Sequence, residues 1–444
     1  MEKKKFLLFA FCVVLISFSF FATKVQFHDV YEYITVSKAL GRIENLNIYV
    51  THSILYSFII SLFVRIFPFL FTIKFVNVLM IILISGIIYS QSKDKKALVI
   101  FIFSPIVWYL SIQITPIILA SLFLLLAYIF MEKDEGMYFA LSGIFLGLSV
   151  ASYTPMLVIS ALFILFYFWK KRLNKIIFYL LFVLIGLSPR LILEMYYFGN
   201  PVYTFIRYFG ARAIISAGLH PDASDFKLFS SVKGILYLFT ISPLLYRIFS
   251  VKKEERNKLY FVISSLGFLL IIAPSIKYFF LLAPIIILIL GKILSNKEIK
   301  IHMILSLILI IILTHGFFGT NEDLLVKSDI QKIVNEYNPS FIIAEPYKAD
   351  KISTYLWEDS PKVVWFMNFN ANLKSEPILK EYGFDMNKNE KIKTREIVSI
   401  GAKFKNGYFE EYENYIFVSE GENKFCENCS LEKCYEVLCV YAPN

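Results

Sequence analysis

Asp29 is the residue whose type and position point most clearly to chemistry. It lies in the polar run Phe27–Tyr33, six residues after the first apolar run, Phe6–Thr23. A carboxylate at the edge of a membrane-like segment is costly unless water, a cation or a substrate meets it. Such a carboxylate can act as a general base toward an attacking hydroxyl or amine. The competing interpretation is a helix N-cap, because Asp29 precedes the helical-looking stretch Val30–Leu40 and Glu32 has capping-box spacing.

The elements that must position Asp29 are those of a membrane protein. The chain has 444 residues, of which 57% are hydrophobic and 17% aromatic. That content is too apolar for a soluble globular protein of this length. The net charge of +10 comes from Lys and Arg clusters in short links between apolar runs, as positive-inside loops do. The basic character therefore indicates topology rather than nucleic-acid binding.

Apolar runs of spanning length predict an all-α polytopic membrane domain with about eleven crossings. The first run is expected to be an uncleaved anchor rather than a signal peptide. The piece Ile54–Phe67, interrupted by Arg65 and followed by Pro68, is expected to be interfacial or re-entrant. The other spans are expected at 70–90, 97–113, 116–131, 137–153, 156–169, 176–193, 232–249, 259–274, 279–294 and 301–318.

The basic clusters orient this domain in the cell membrane. The N-terminal lysines and the clusters near residues 95, 172, 255 and 298 all fall on one side under this count, which predicts a cytoplasmic N-terminus. The acidic link that begins at Glu132 falls on the same side, but acids contribute little to the rule. Asp29, the 194–230 loop and the chain after residue 319 are then extracytoplasmic.

The tail changes character and predicts a second domain. We expect a transmembrane domain over 1–319 and an extracytoplasmic α/β domain over 320–444, because helix and strand patterns alternate in the tail. The predicted elements are helices over Asp329–Asn338 and Ile352–Trp357, strands over Phe341–Ala344 and Lys362–Phe366, and β-rich sequence from about Ile397 to Val440.

Four of the five cysteines lie together in this tail: Cys426, Cys429, Cys434 and Cys439. Such a cluster is either a pair of disulfides or a zinc site. A Cys-x-x-Cys pair followed by wider spacings is a moderate zinc signal. The predicted extracytoplasmic position favours disulfides.

A series of short motifs runs in order through residues 5 to 295. They are Asp29 with Tyr33, Ala39 and Gly41; His52–Tyr56; Ser104-Pro105; Gly143 with Gly147-Leu148; Phe198-Gly199-Asn200-Pro201; and Lys277-Tyr278 with Pro284. In order and spacing they resemble the GT-C superfamily of integral-membrane glycosyltransferases. The branch they resemble includes the dolichyl-phosphate-mannose protein mannosyltransferases and the bacterial aminoarabinose transferase. The Phe-Gly-Asn-Pro match is the most specific.

The resemblance implies a GT-C-like fold and a glycosyltransferase activity. A sugar would move, with inversion, from a polyprenyl-phosphate donor to a glycan, protein or lipid acceptor on the extracytoplasmic face, with Asp29 as the catalytic base. Cations near that face would hold the phosphate, which gains negative charge as it leaves. Lys277 is the first choice by family position. The other substrate-binding residues that we expect are Tyr33, His52, Tyr56, Arg190, Arg207, Arg212 and Tyr278.

Several of these residues have a second, structural interpretation. The three arginines could instead anchor helix ends at the interface with snorkelling side chains. Arg190 could instead pair with Glu194, four residues further on. His52 is either a phosphate contact or a satisfied interfacial histidine.

Two departures from the family pattern bear on the chemistry. Many members have a second acid in the outer turn after the third span, where Ser111–Pro116 has no carboxylate. A divalent metal is therefore doubtful, since it needs several oxygen ligands, and we expect no cofactor. Asp222 and Asp225 could supply an acid from another outer loop, although such a run is more often a solvated turn. A basic residue common after the Gly-Leu pair is also missing, in Ser152–Pro155.

The alternatives to an enzyme are a lipid or polysaccharide transporter, a membrane scaffold, and a GT-C relative that has lost catalysis. Transporters place ionisable residues and broken helices near mid-membrane. The spans here are almost free of charge, and acids gather in the outer loops, which favours the enzyme. The missing second acid keeps the third alternative open.

Overall fold

The computed structural model describes the chain in segments. The described residues are 2–22, 33, 36–37, 40–41, 52–64, 69–92, 95–133, 136–168, 173–216, 234–252, 255–272, 275–315, 321–339, 341–344, 352, 362–365, 415–419 and 429–443. The chain forms two compact units. Unit 1 comprises Met1–Phe21, His52–Phe205 and Asp225–His315, and unit 2 comprises Ala22–Thr51, Ile206–Ser224 and Gly316–Asn444.

Helices account for most of the described part of unit 1. They are α1 Glu2–Phe21, α2 Ile54–Val64, α3 Phe69–Gln91, α4 Lys96–Ile102, α5 Pro105–Ser111, α6 Ile117–Met131, α7 Gly136–Ser152, α8 Met156–Phe168, α9 Leu173–Phe198, α10 Tyr203–Ser216, which continues into unit 2, α11 Arg256–Ile272, α12 Ile276–Phe279, α13 Ala283–Ile293 and α14 Asn296–Thr314. A 3-10 turn, Leu245–Ser250, precedes α11.

Charged contacts define one end of unit 1, which we call the basic end. Lys258 forms ion pairs with Glu132 and with Glu255, the latter at 3.2 Å, and Lys292 lies 3.4 Å from Glu255. Lys96 donates to the carbonyl of Leu294 at 3.1 Å, next to Lys292 in sequence. The basic clusters near residues 95 and 255 and the acidic link at Glu132 therefore share one end, as predicted.

Several of the described helices are shorter than the about 17 to 25 residues that a membrane crossing needs. Within the described part of the chain, two helical stretches are by themselves long and apolar enough to cross a membrane, Lys74–Gln91 and Lys175–Phe198. Shorter apolar helices cover Lys5–Phe21, Ile54–Phe63, Ile117–Met131, Gly136–Ser152, Met156–Phe168 and Ala283–Ile293. The number of about eleven crossings therefore stays a prediction. Helix α2 has 11 residues, too short to span a bilayer core of about 30 Å at about 1.5 Å per residue.

Three predicted spans contain a break, two of them in the middle and one near the start. The span expected at 97–113 consists of α4 and α5, which meet at Phe103 and Ser104. The span expected at 232–249 is helical over 234–238 and continues irregularly to the 3-10 turn. The Ser104 hydroxyl donates to the carbonyl of Ile241 at 2.8 Å, and the Ile106 amide donates to that of Thr240 at 3.0 Å. The two breaks thus satisfy each other's backbone groups, which an apolar environment requires.

The third broken span is the one expected at 279–294. It begins as α12 and resumes as α13 at Ala283. The carbonyl of Phe280 accepts from the Ala283 amide at 3.2 Å and also from the Ser121 hydroxyl of α6 at 2.9 Å. Buried serines also bind helices elsewhere, because Ser149 of α7 donates to Ala120 of α6 at 2.7 Å. Small polar side chains therefore hold the bundle together while allowing close approach.

Helices α7 and α9 approach most closely at glycines. A Cβ on Gly147 would lie 2.1 Å from the carbonyl oxygen of Val183 and 2.8 Å from the Cα of Gly186. A Cβ on Gly143 would lie 2.7 Å from that of Phe182. This crossing sets where the C-terminal ends of both helices place their polar side chains.

In unit 2, the described residues Tyr33, Val36, Ser37 and Leu40 are helical. The Ser37 hydroxyl donates to the carbonyl of Tyr33 at 2.6 Å, and the Gly41 amide donates to that of Ser37 at 2.9 Å. The helix predicted over Val30–Leu40 is thus present at its described residues. Asp29 itself lies outside the described residues.

The tail contains helix α15, Asn321–Tyr337, and a five-stranded mixed sheet. The strands are β1 Phe341–Ala344, β2 Lys362–Trp365, β3 Tyr415–Ser419, β4 Cys429–Cys434 and β5 Cys439–Pro443. Their order is β2-β1-β3-β5-β4, with β1 parallel to β2 and β3, and β5 antiparallel to β3 and β4. The predicted amphipathic helix and both predicted strands are present. Of the helix predicted over Ile352–Trp357, only Ile352 is described, and it is helical.

The core of this sheet lies between α15 and the strands. Val326, Ile330 and Ile333, spaced along one face of α15, pack with Ile342, Ala344, Ile416, Val418, Leu438 and Val440. Burial of this face explains why a helix with many charges is stable here.

The crossing of α7 and α9 yields a stability prediction. Gly147→Ala places a methyl group against backbone atoms of α9, so we expect a loss of about 1–3 kcal/mol from the free energy of unfolding. Gly86→Ala in α3 is the matched control, because its Cβ meets nothing within 4 Å and Ala is the better helix former. Thermal unfolding in detergent measures both. Equal melting temperatures for the two variants would contradict the close-packing interpretation.

Asp329 of α15 yields a second prediction. Its buried carboxylate accepts hydrogen bonds from the amides of Val437 at 2.7 Å and Leu438 at 3.1 Å, in the turn between β4 and β5. Asp329→Ala leaves both amides without this partner, so we expect a loss of about 1.5–3 kcal/mol. Lys332→Ala removes a half-exposed cation 4.0 Å from the same carboxylate and should change little. Limited proteolysis of the tail compares the two variants, and equal protection would contradict the role of Asp329.

Candidate active site

The end of unit 1 opposite the basic end, which we call the polar end, collects most of the predicted site residues of this unit. Ser53 donates to the carbonyl of Ala151, which brings the start of α2 to the end of α7. The Leu55 amide donates to the Ser53 hydroxyl at 3.3 Å, so Ser53 caps α2. His52 precedes this cap and is half-buried.

A chain of hydrogen bonds runs from α2 to the turn after α5. The Tyr56 hydroxyl donates to Oδ1 of Asn77 at 2.7 Å. The side-chain amide of Asn77 in turn donates to the backbone carbonyl of Gln113. Tyr56 and Asn77 are both buried. This chain fixes the turn Ser111–Pro116, the segment in which the family pattern has an acid, against α3.

Lys277 and Tyr278 lie on α12, next to that turn. The rings of Tyr278 and Tyr153 stack with centroids 6.1 Å apart and planes inclined by 19°. The Lys277 ammonium lies 5.3 Å from the centroid of the Tyr278 ring. It also acts electrostatically on the hydroxyl of Tyr109, on α5. Lys277 therefore belongs to the same polar end as Tyr56.

Arg190 is fully buried, with 0% exposure, and so is Glu194. The two form an ion pair at 2.5 Å, which confirms the alternative pairing of the sequence analysis. The guanidinium also donates to the Val150 carbonyl at 3.2 Å and to the hydroxyls of Thr154 at 3.0 Å and Thr204 at 2.6 Å. All three of its nitrogens are engaged, which favours a structural role.

The Phe-Gly-Asn-Pro motif builds the turn that completes this cluster. Gly199 has φ of +67°, a left-handed conformation that glycine adopts without cost. Asn200 accepts from the Val202 amide at 3.0 Å, and Phe198 stacks on Tyr203 with centroids 4.4 Å apart. The turn thereby brings the start of α10 back to α9.

Glu194 and Arg190 contact the first residues of α10. The Thr204 amide donates to Oε2 of Glu194 at 3.0 Å, so the carboxylate caps the helix where its dipole is positive. The Arg190 guanidinium carbon lies 3.6 Å from the centroid of the Phe205 ring. The Phe-Gly-Asn-Pro turn thus brings α10 to the buried pair Arg190–Glu194 of α9. Arg190 also contacts Val150 of α7, so the pair connects three helices.

Lys74 is a buried cation that the sequence analysis missed. Its ammonium donates to the carbonyl of Ser19 at 3.1 Å, and the Ser19 hydroxyl donates to that of Ser111 at 2.8 Å. Lys74 lies three residues before Asn77, on the same side of α3. The sequence feature that could have identified Lys74 is its position inside the apolar run 70–90. A lysine in such a run suggests a functional or structural site.

The remaining predicted site residues belong to unit 2, except Asp225, which is the first residue of a segment of unit 1. Tyr33 is buried and helical, and Arg207 is buried on α10. Asp29, Asp222, Asp225 and the side chain of Arg212 lie outside the described residues.

One disulfide joins Cys434 to Cys439 across the β4–β5 turn. Cys426 and the side chain of Cys429 lie outside the described residues. Within the described part of the chain, no group of three or more His, Cys, Asp or Glu side chains could hold a metal ion. The disulfide occupies two of the four thiols that the zinc alternative would require.

The chain has the fold of the GT-C integral-membrane glycosyltransferases. Two crystal structures of ArnT from Cupriavidus metallidurans, one bound to undecaprenyl phosphate and one in the apo state, match it with TM-scores of 0.63 and 0.62 at 9% and 10% sequence identity. Each match covers 98% of this chain and 97% of that chain. No family model matches the sequence, and no curated protein matches it significantly. At such identity the likeness defines the fold.

The buried ion pair yields a prediction that separates structure from chemistry. Arg190→Ala leaves the Glu194 carboxylate buried without its cation, so we expect a loss of about 3–5 kcal/mol from the free energy of unfolding. Arg190→Met combined with Glu194→Met should recover much of that loss, because no charge then remains buried. Thermal unfolding in detergent gives both values.

Arg247→Ala is the matched control for Arg190→Ala. Arg247 pairs with Glu298 at 2.7 Å, but both side chains are partly exposed, so the loss should be much smaller. A melting temperature of Arg190→Ala equal to that of the wild type would contradict the structural role.

Proposed function

We propose that the protein is a multi-pass membrane glycosyltransferase that moves a sugar from a polyprenyl-phosphate donor to an acceptor, with inversion. The observation that carries the proposal is the match over 98% of the chain to a structure of ArnT bound to undecaprenyl phosphate. The motif order through residues 5 to 295 supports it independently. The reaction takes place on the extracytoplasmic face, and the acceptor is a glycan, a protein or a lipid.

Asp29 acts as the general base in this proposal. Its carboxylate takes the proton from the acceptor hydroxyl or amine while the acceptor atom forms a bond to the anomeric carbon. The bond from that carbon to the phosphate oxygen breaks, and polyprenyl phosphate leaves with the electron pair. The proton is released from Asp29 to solvent after transfer.

Lys277 stabilises the leaving phosphate. Its position on α12, at the polar end, is the support for this role. A cation near the phosphate offsets the negative charge that develops as the bond breaks. Arg207 and Arg212 act as further cations and His52 as a phosphate contact, whereas the donors of Arg190 are already used within unit 1. Tyr33, Tyr56 and Tyr278 contribute to the substrate-binding surface.

The reaction needs no metal in this proposal. The turn Ser111–Pro116 carries Gln113 rather than a carboxylate, and a single acid is a poor set of ligands for a divalent cation. Asp29 then works as a metal-free base. Activity in the presence of a chelator is the corresponding expectation.

The span breaks favour an enzyme over a transporter. Transporters use broken helices to bind ions and substrates through freed backbone groups. Here the breaks at Ser104 and Thr240 satisfy each other, and the carbonyl of Phe280 accepts from both the Ala283 amide and the Ser121 hydroxyl. These groups are therefore engaged within the protein.

The tail helps to bind the acceptor on the extracytoplasmic face. Its disulfide between Cys434 and Cys439 is typical of an oxidising compartment outside the cytoplasm. The N-terminus is cytoplasmic in this orientation, because the basic end of unit 1 follows the positive-inside rule.

The test is transfer of radiolabelled sugar from polyprenyl-phosphate donors by membranes that contain the protein. Asp29→Asn keeps the shape of the side chain and removes the base, so we expect a loss of at least about a hundredfold in kcat. Glu32→Gln is the matched control and should retain activity, because Glu32 is assigned to the helix cap. Unchanged transfer by Asp29→Asn would overturn the role of Asp29.

The same assay distinguishes the other hypotheses. Flux of a lipid-linked sugar into vesicles without any glycosyl product would favour a transporter. Donor binding without transfer by the wild-type protein would favour a GT-C relative that has lost catalysis.

A further inference from the structure

Gln113 has a buried side chain whose amide group is unsatisfied. The residue is 1% exposed, and neither Nε2 nor Oε1 has a hydrogen bond of standard geometry to any described residue. Burying an amide without hydrogen-bond partners is unfavourable. Because buried amides are rarely left unpaired, the group requires an explanation.

The backbone around Gln113 is held in place. Its amide donates to the Leu110 carbonyl at 3.1 Å, and its carbonyl accepts from the side chain of Asn77. Asn77 is itself tied to Tyr56 at 2.7 Å. The unsatisfied amide is therefore a feature of a fixed turn, and its position is set by α3 and α5.

The neighbours of this amide are polar. The Tyr109 hydroxyl, four residues earlier, lies within hydrogen-bonding range of it but without the geometry of a standard hydrogen bond. The Lys277 ammonium and the Tyr237 hydroxyl interact electrostatically with Tyr109. Gln113 is thus close to the cation that the proposed function assigns to the phosphate of the donor.

An amide is a specific recognition group. It offers an N–H donor and a C=O acceptor and carries no charge, and a hydroxyl group can pair with both atoms. An ammonium group has no acceptor for the N–H, and a phosphate has no donor for the C=O. The sugar is bonded directly to the phosphate that Lys277 is proposed to hold. Its hydroxyls are therefore separated from that phosphate by no more than the width of the sugar ring.

We propose that Gln113 binds a hydroxyl of the transferred sugar, and that the donor therefore carries a sugar with a free, uncharged hydroxyl at that position. This inference rests on the proposed function and adds the class of sugar to it. Tyr109 lies beside Gln113 and completes the hydroxyl-binding surface. The contact positions the anomeric carbon relative to the phosphate held by Lys277.

The test compares a neutral polyprenyl-phosphate sugar with its monodeoxy analogues. The wild-type protein should discriminate against one analogue by about tenfold to a hundredfold in kcat/KM, because that analogue leaves the amide unpaired. Gln113→Met keeps the length of the side chain and removes both polar atoms. It should lower kcat/KM for the parent donor and transfer the parent and that analogue equally well.

Gln91→Met is the matched control, because Gln91 is an exposed glutamine at the end of α3, and it should retain discrimination. Gln113→Glu should weaken transfer of the neutral donor and favour a donor with an amino group at the recognised position, since a carboxylate pairs with an ammonium. A merely structural role for Gln113 would lower activity without changing the ratio between parent and deoxy donors.

Each outcome separates the two proposals. Transfer or binding of all monodeoxy donors as readily as the parent by the wild-type protein would overturn the role of Gln113, whatever the folding of the variants. If transfer is absent, native mass spectrometry can compare binding of the parent donor with binding of each monodeoxy analogue instead. A wild-type protein that neither binds nor transfers any polyprenyl-phosphate sugar would overturn the proposed function and the sugar contact with it.

Discussion

In an apolar helical bundle, polar groups must find partners within the protein, because neither lipid nor packed side chains can replace water. This constraint governs unit 1. The guanidinium of Arg190 meets Glu194, two threonine hydroxyls and a backbone carbonyl. The broken spans at Ser104 and Thr240 pair with each other. The amide of Gln113 is an exception to this rule beside a candidate cation, Lys277, and is therefore a candidate for a ligand contact.

Satisfaction of these groups also sets the geometry of the polar end. Close packing of α7 on α9 at Gly147 and Gly186 brings Val150 and Thr154 to Arg190. The turn at Gly199 then returns α10 so that Thr204 is capped by Glu194. Helices that are individually short thus form a rigid frame, because their ends are joined by hydrogen bonds and one buried ion pair. The frame holds Tyr56, Lys277 and Gln113 in the neighbourhood where the proposed chemistry needs them.

Arg190 and Lys277 show how cations of similar sequence context acquire different roles. Both follow apolar runs near a predicted outer face, and sequence reasoning treats both as phosphate ligands. Arg190 pairs with Glu194 one helical turn away and donates to the hydroxyls of Thr154 and Thr204. Its charge is therefore compensated inside the protein. Lys277 lies on a short helix beside tyrosine rings, with its charge acting on Tyr109. Only the three-dimensional neighbours separate a structural cation from a candidate for substrate binding.

The sequence by itself determined the class of fold, the start and end of most helices and the strands near residues 341 and 362. It did so because apolar periodicity and the breaks between runs are local properties. The sequence also contains the GT-C-like motifs in order, and it offered the pairing of Arg190 with Glu194 as one of two interpretations. Tertiary structure decided which spans are broken, that Lys74 is buried, and that the Gln113 amide is left unsatisfied beside Tyr109. Those features depend on contacts between residues far apart in the chain, such as Ser104 with Ile241 and Asn77 with Gln113, which no local pattern records.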